Sequence, residues 1–104
     1  MTKTISLLGS TGSVGRQTLE VAEQLGVRVA ALTANRSVQR MEEQARRFRP
    51  RLAVLCDEGA ARELKLRLAD TEIRVASGPE GLLEAAALPE ADTVVTAVVG
   101  MIGL

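Results

Sequence analysis

A chain of 104 residues with thirteen basic and thirteen acidic side chains has a formal net charge of zero, so no long-range field gathers nucleic acid or an anionic membrane. Its apolar fraction of 46% suits one globular domain with a modest core, and no apolar run is long enough for a membrane span. With no histidine, one aromatic residue (Phe48) and one cysteine (Cys56), it lacks the commonest general base and metal ligand, a stacking platform for single strands, and any internal disulfide.

The opening "MTKTISLLGS" lacks the longer apolar core and cleavage site of a signal peptide, and a lone cysteine fits a reducing compartment, so a cytoplasmic protein is expected. "TISLLG" (4–9) reads as an apolar strand covered on both faces. A helix follows from about Gly12 to Leu25, with Val14, Thr18, Ala22 and Leu25 at helical spacing and Gly26 as its stop. "VRVAALTA" (27–34) is the second strand. Ser37 is placed to N-cap a second helix with Val38, Met41, Ala45 and Phe48 inward, ended by Pro50.

"LAVLC" (52–56) is the third strand, which makes Cys56 a small buried strand-end residue. Asp57 caps a third helix with Ala61, Leu64 and Leu68 on one face, and Glu58 favours its N-terminus electrostatically. "EIRVAS" (72–77) is the fourth strand, Pro79 suits the first turn of a fourth helix, and "DTVVTAVVG" (92–100) is the fifth strand. Arg46, Arg47, Arg49 and Arg51 stand beside Glu42 and Glu43 and read as a solvated helix face.

Repeated β-α units predict an α/β fold, a doubly wound parallel sheet of Rossmann-like type with five strands in the order 4-3-2-1-5. Strands one and five then flank the switch point where ligands bind at the carboxyl ends. The chain closes on "GMIGL", with Met101, Ile102 and Leu104 lacking a covering layer. Residues 1–104 are therefore expected to be the leading domain of a longer polypeptide.

The turn "GSTGSVG" carries Gly9, Gly12 and Gly15 between the first strand and the first helix. Such a turn presents unpaired N–H groups beside the positive end of a helix dipole, a site for an anion. The spacing is G-x-x-G-x-x-G, which departs from the dinucleotide pattern G-x-G-x-x-G by one residue. In that reading Gly9 permits the turn, Gly12 clears the approach of a pyrophosphate, and Gly15 lets helix and strand touch. A P-loop is excluded because Arg16 and Gln17 follow Gly15 where lysine and a hydroxyl residue are needed.

About twenty residues on, an NAD site places an acidic residue on the ribose. Here "TANRSV" (33–38) offers Arg36 and Ser37 and no acid, a guanidinium and a hydroxyl that suit a 2′-phosphate and hence NADP.

Together, "ISLLGSTGSVGRQTLEV", "LTANRSVQRMEEQARRFRPRLAVLCDE" and "VVTAVVGMIGL" resemble the amino-terminal NADPH-binding domain of 1-deoxy-D-xylulose 5-phosphate reductoisomerases. The resemblance implies a metal-dependent rearrangement of 1-deoxy-D-xylulose 5-phosphate followed by reduction with NADPH to 2-C-methyl-D-erythritol 4-phosphate, in the non-mevalonate route to isoprenoids. Carried over by position, Thr11, Gly12, Ser13 and Val14 line the pyrophosphate, Asn35, Arg36 and Ser37 hold the 2′-phosphate, and the backbone from Ala97 to Gly100 lies along the cofactor.

The divalent metal (Mg or Mn), the phosphorylated-sugar contacts and the catalytic residues are then expected outside this chain. It has no catalytic or metal-binding residue of its own and should be inactive alone. The complete protein is expected to be a homodimer without nucleic-acid or membrane partners. Two alternatives share the opening fold: another NADP-dependent oxidoreductase of semialdehyde dehydrogenase-like type, and a non-enzymatic dinucleotide-sensing module.

Overall fold

The structure, a computed structural model, describes residues 3–97. The expected continuation of the fifth strand to Gly100 and the apolar end at Met101, Ile102 and Leu104 lie outside the described residues. Strands and helices alternate as β1 (Thr4–Leu8), α1 (Ser13–Leu25), β2 (Arg28–Ala34), α2 (Val38–Phe48), β3 (Leu52–Leu55), α3 (Glu58–Arg67), β4 (Arg74–Ser77), α4 (Gly78–Ala86) and β5 (Thr93–Thr96). The fourth strand is two residues shorter than "EIRVAS" predicts.

All pairings are parallel and the strand order is β4-β3-β2-β1-β5, as the alternation predicts. From β1 to β4 each right-handed crossover moves the chain the same way, so α1, α2 and α3 share one face of the sheet. Leu19, Ala22, Met41, Ala45, Ala61, Leu64 and Leu68 bury there against Ile5, Leu7, Val29, Leu32, Ala53 and Leu55. The return from β4 to the far side of β1 reverses direction and puts α4 on the other face, with Ala85 on Ala31, Leu52 and Val54.

The inward face of α1 differs from the expected stripe. Gly15, Leu19 and Ala22 are buried, whereas Val14 and Leu25 are 41% and 73% exposed and Thr18 is half-buried. The helix is turned so that its glycine, not a valine, meets the turn that follows the first strand. The stripe of α2 is as predicted, with Met41 and Ala45 fully buried and Val38 and Phe48 packed beside them. Asp57 caps α3 by accepting the Ala60 N–H at 2.8 Å. Cys56 is exposed, not buried: β3 ends at Leu55, and the Cys56 backbone leaves the strand with its N–H on the Ala34 carbonyl.

Of the arginine cluster, Arg46, Arg47 and Arg51 are solvated and paired. Arg46 reaches Glu42 and Asp70, Arg67 reaches Glu42 and Glu63, Arg47 meets Glu23 and Arg51 meets Glu90. Hydrogen bonds from Arg67 and then Arg46 hold the Glu42 carboxyl below its ordinary range, and Arg46 does the same for Asp70. Arg67–Glu42 and Arg46–Asp70 link α2 to α3 and the turn after it at the surface, where each contributes little to stability.

α2 ends at Arg49 in the left-handed region, φ 50 and ψ 57. That conformation costs a residue with a Cβ about 1 kcal/mol. Arg49→Gly should therefore raise stability by about 1 kcal/mol, read as a higher urea midpoint at unchanged slope; an unaltered midpoint would show the strain to be relieved elsewhere. Among the described residues no helix is long and apolar enough to cross a membrane.

Candidate functional site

β1 lies between β2 and β5, with Leu8 opposite Thr33 on one side and Thr96 on the other. The carboxyl ends of the three strands therefore open at one edge, at the point where the strand order runs both ways. In doubly wound sheets this switch point is where ligands bind.

The turn leaving β1 is held by Thr33. Its carbonyl accepts the Gly9 N–H at 2.9 Å and the Ser10 N–H at 2.8 Å, and its hydroxyl stands 3.1 Å from the Gly9 nitrogen. Gly9 makes the turn at φ 87, a conformation that residues with a Cβ rarely adopt. The chain then passes directly over α1: a Cβ at Gly15 would stand 2.0 Å from the Gly9 carbonyl oxygen and 2.8 Å from the Ser10 Cα. Both roles are those the spacing suggests.

Gly12 is different. It is the N-cap of α1, with φ −77 and ψ 174, extended backbone that any residue adopts, and a Cβ there would meet nothing within 4 Å. The packing of the fold makes no demand for glycine at this position, which faces open space. The first helical bond beyond it is Arg16 N–H to the Gly12 carbonyl at 2.9 Å, so the N–H groups of the first turn have no partner inside the helix. Ser13 and Val14 are exposed beside it, and Thr11 is half-buried. The Ser10 hydroxyl is buried without a hydrogen-bond partner.

Asn35, Arg36 and Ser37 are exposed and follow β2 at the same edge, beside the turn that Thr33 holds. Ser37 occupies the N-cap position of α2, but its side chain makes no capping bond, contrary to expectation. At ψ 84 its backbone falls short of the extended geometry that swings a cap hydroxyl over the first helical N–H groups. Neither α1 nor α2 has an acidic residue in its first turn, so both positive dipole ends face the edge uncompensated. Ala97 is buried, with its N–H on the Leu8 carbonyl at 2.8 Å, and it borders the turn from the β5 side.

Two side chains of α2 complete the arrangement, and sequence reading misses both. Gln44 Nε2 donates to the Ser10 carbonyl at 2.8 Å, and Arg40 Nη1 donates to the Thr11 carbonyl at 3.3 Å. Their one sequence signal is position: four residues apart, they border the buried Met41–Ala45 stripe. The described residues bring together no group of three or more histidine, cysteine, aspartate or glutamate side chains that could hold a metal.

A sheet of this order with a glycine turn at its switch point defines a doubly wound, Rossmann-like α/β domain. The family model for 1-deoxy-D-xylulose 5-phosphate reductoisomerase matches residues 5–104. The chain belongs to this family. It is 52% identical over 104 residues to the 1-deoxy-D-xylulose 5-phosphate reductoisomerase of Desulfitobacterium hafniense strain Y51, covering 98% of this chain and 27% of the relative. The Moorella thermoacetica protein of the same name is 53% identical over 103 residues, covering 97% and 27%.

Among solved structures, a DOX-P reductoisomerase in complex with magnesium superposes with a TM-score of 0.90 at 32% identity, over all of this chain and 27% of the other. The Zymomonas mobilis reductoisomerase in complex with NADPH gives 0.80 at 37% identity, over 85% and 24%. The chain thus spans about a quarter of the length of the curated relatives it matches.

Proposed function

We propose that this chain is the NADPH-binding portion of a 1-deoxy-D-xylulose 5-phosphate reductoisomerase. The observation that carries the reading is Gly12: a glycine that the fold does not require, facing open space among unbonded N–H groups at the switch point. Gly9 and Gly15 shape the turn, the N–H groups of Thr11, Gly12, Ser13 and Val14 receive the pyrophosphate, and Asn35, Arg36 and Ser37 take the 2′-phosphate at the end of β2. The Ser37 hydroxyl is free for that contact because it does not cap α2. Ala97 bounds the cofactor from the β5 side.

NADPH, when bound, supplies a hydride; the residues of this chain hold and orient it. The complete protein converts 1-deoxy-D-xylulose 5-phosphate to 2-C-methyl-D-erythritol 4-phosphate, in the non-mevalonate route to isoprenoids. The divalent metal, sugar-phosphate contacts and catalytic groups lie on polypeptide beyond these 104 residues, in keeping with the quarter of the relatives' length that the chain spans. We take the complete protein to be a cytoplasmic homodimer; the zero net charge and single cysteine of these 104 residues accord with a reducing compartment and with no nucleic-acid or membrane partner for this portion.

Titration of NADPH and NADH tests the reading at Arg36. Its guanidinium gives one or two charge-assisted hydrogen bonds to the 2′-phosphate, each contributing roughly 1.5–3 kcal/mol. Arg36→Ala should weaken NADPH at least about tenfold and leave NADH unchanged. An unaltered NADPH/NADH preference would remove Arg36 from the site.

A further inference from the structure

We propose that Gln44 of α2 is a positioning residue for cofactor binding, one that orients the glycine turn without touching the anion itself. The inference rests on the NADPH reading above. Gln44 Nε2 reaches the Ser10 carbonyl across 34 residues of chain, and Arg40, one turn earlier on the same helix, reaches the Thr11 carbonyl across 29.

In a trans peptide the carbonyl of one residue and the N–H of the next point in opposite directions, and no cis peptide occurs among the described residues. Holding the Ser10 carbonyl on Gln44 therefore turns the Thr11 N–H away from α2. Holding the Thr11 carbonyl on Arg40 does the same for the Gly12 N–H. Neither N–H donates to a protein acceptor among the described residues. α2 begins directly after Asn35, Arg36 and Ser37, so one rigid helix carries the phosphate-reading segment at its start and the turn's clamp within its next turns.

The amide carries a cost that stability alone does not explain. Gln44 Oε1 is buried without a partner, and burial of an unbonded polar atom is unfavourable. An apolar side chain would avoid it. The carbonyl clamp is the return for keeping a donor there.

NADP+ titrations of the protein and its variants test the role. Gln44→Met keeps the length of the side chain and removes the donor; NADP+ affinity should fall about tenfold, with the NADP+/NAD+ preference within about twofold of wild type. Gln44→Glu separates positioning from packing. Ionised, the carboxyl can only accept and repels the Ser10 carbonyl; protonated, it donates. With about a sixth of an ordinary glutamate carboxyl protonated at about pH 5, its NADP+ affinity relative to wild type measured in parallel should recover about two- to threefold from about pH 8 to about pH 5.

The other charged groups of this groove, Arg16 and Glu20 from α1 and Arg40, Glu43 and Arg47 from α2, are unchanged between wild type and the two Gln44 variants. Wild-type affinity in Gln44→Met, or a pH-independent ratio in Gln44→Glu, overturns the proposal even where Arg36→Ala upholds the NADP reading. A wild-type protein that binds no NADP+ overturns both. If Gln44→Met does not fold, the Gln44→Glu profile decides alone.

Discussion

Gly15→Ala should destabilise the domain by about 3 kcal/mol although it adds a single methyl group. The added Cβ would stand 2.0 Å from the Gly9 carbonyl oxygen, 2.8 Å from the Ser10 Cα and 2.9 Å from the Ser10 carbonyl carbon. Every one of these atoms is backbone, so no side chain can swing aside. Relief requires α1 to move off β1, which opens the packing of Leu19 and Ala22, or the turn to release Thr33. In an exposed helix the same exchange would stabilise, because alanine is the better helix former. Chemical denaturation of both proteins reads the difference. A midpoint at or above that of wild type would show that the contact yields cheaply and that Gly15 is not what seats the helix.

Gly12→Val should do the reverse. Its backbone at φ −77 and ψ 174 accepts a β-branched residue and the space around its Cβ is empty, so the stability loss should stay near the about 1 kcal/mol by which valine is the poorer N-cap. NADPH affinity should nevertheless fall by at least about a hundredfold, about 2.7 kcal/mol, because the isopropyl group fills the approach to the free N–H groups. Calorimetric titration beside a thermal melt makes both readings on one sample. A folded Gly12→Val protein that binds NADPH like the wild type would reduce the turn to a structural element. Two glycines three residues apart are thus expected to fail in opposite ways, one by unfolding and one by losing its ligand.

Much of this fold is legible in the sequence because its signals are local. Asp57 before an apolar stripe, Gly26 after one, and uninterrupted apolar strands each mark their element, and repeated β-α units leave few topologies to choose from. The stripe of α1 agrees with its hydropathy at Ala22 but buries Gly15 and Leu19 in place of Val14 and Leu25. Hydropathy ranks Val14 and Leu25 as inward, but the helix is oriented by the close contact of Gly15 with Gly9 and Ser10, and a glycine carries no hydrophobic signal. Cys56 was misplaced because apolar character continues one residue past the last paired position, Leu55 opposite Ser77. The roles of Gly9 and Gly15 follow from their spacing. Gln44 and Arg40 could not be found that way, since a glutamine and an arginine on a charged helix look solvent-facing until the turn far upstream is seen against them.

The single reversal of direction in the sheet also orders its assembly. β1 to β4 emerge in sequence, each docking beside its predecessor across one short crossover, a process that can keep pace with synthesis. β5 must instead return to β1, where Asp92 meets the Thr4 amide across 88 residues of chain. Closing so large a loop is deferred until its strand exists. The β1–β2 side of the switch point can therefore form early, and the β5 side at Ala97 only later, so the nascent chain holds half a cleft before it holds both sides.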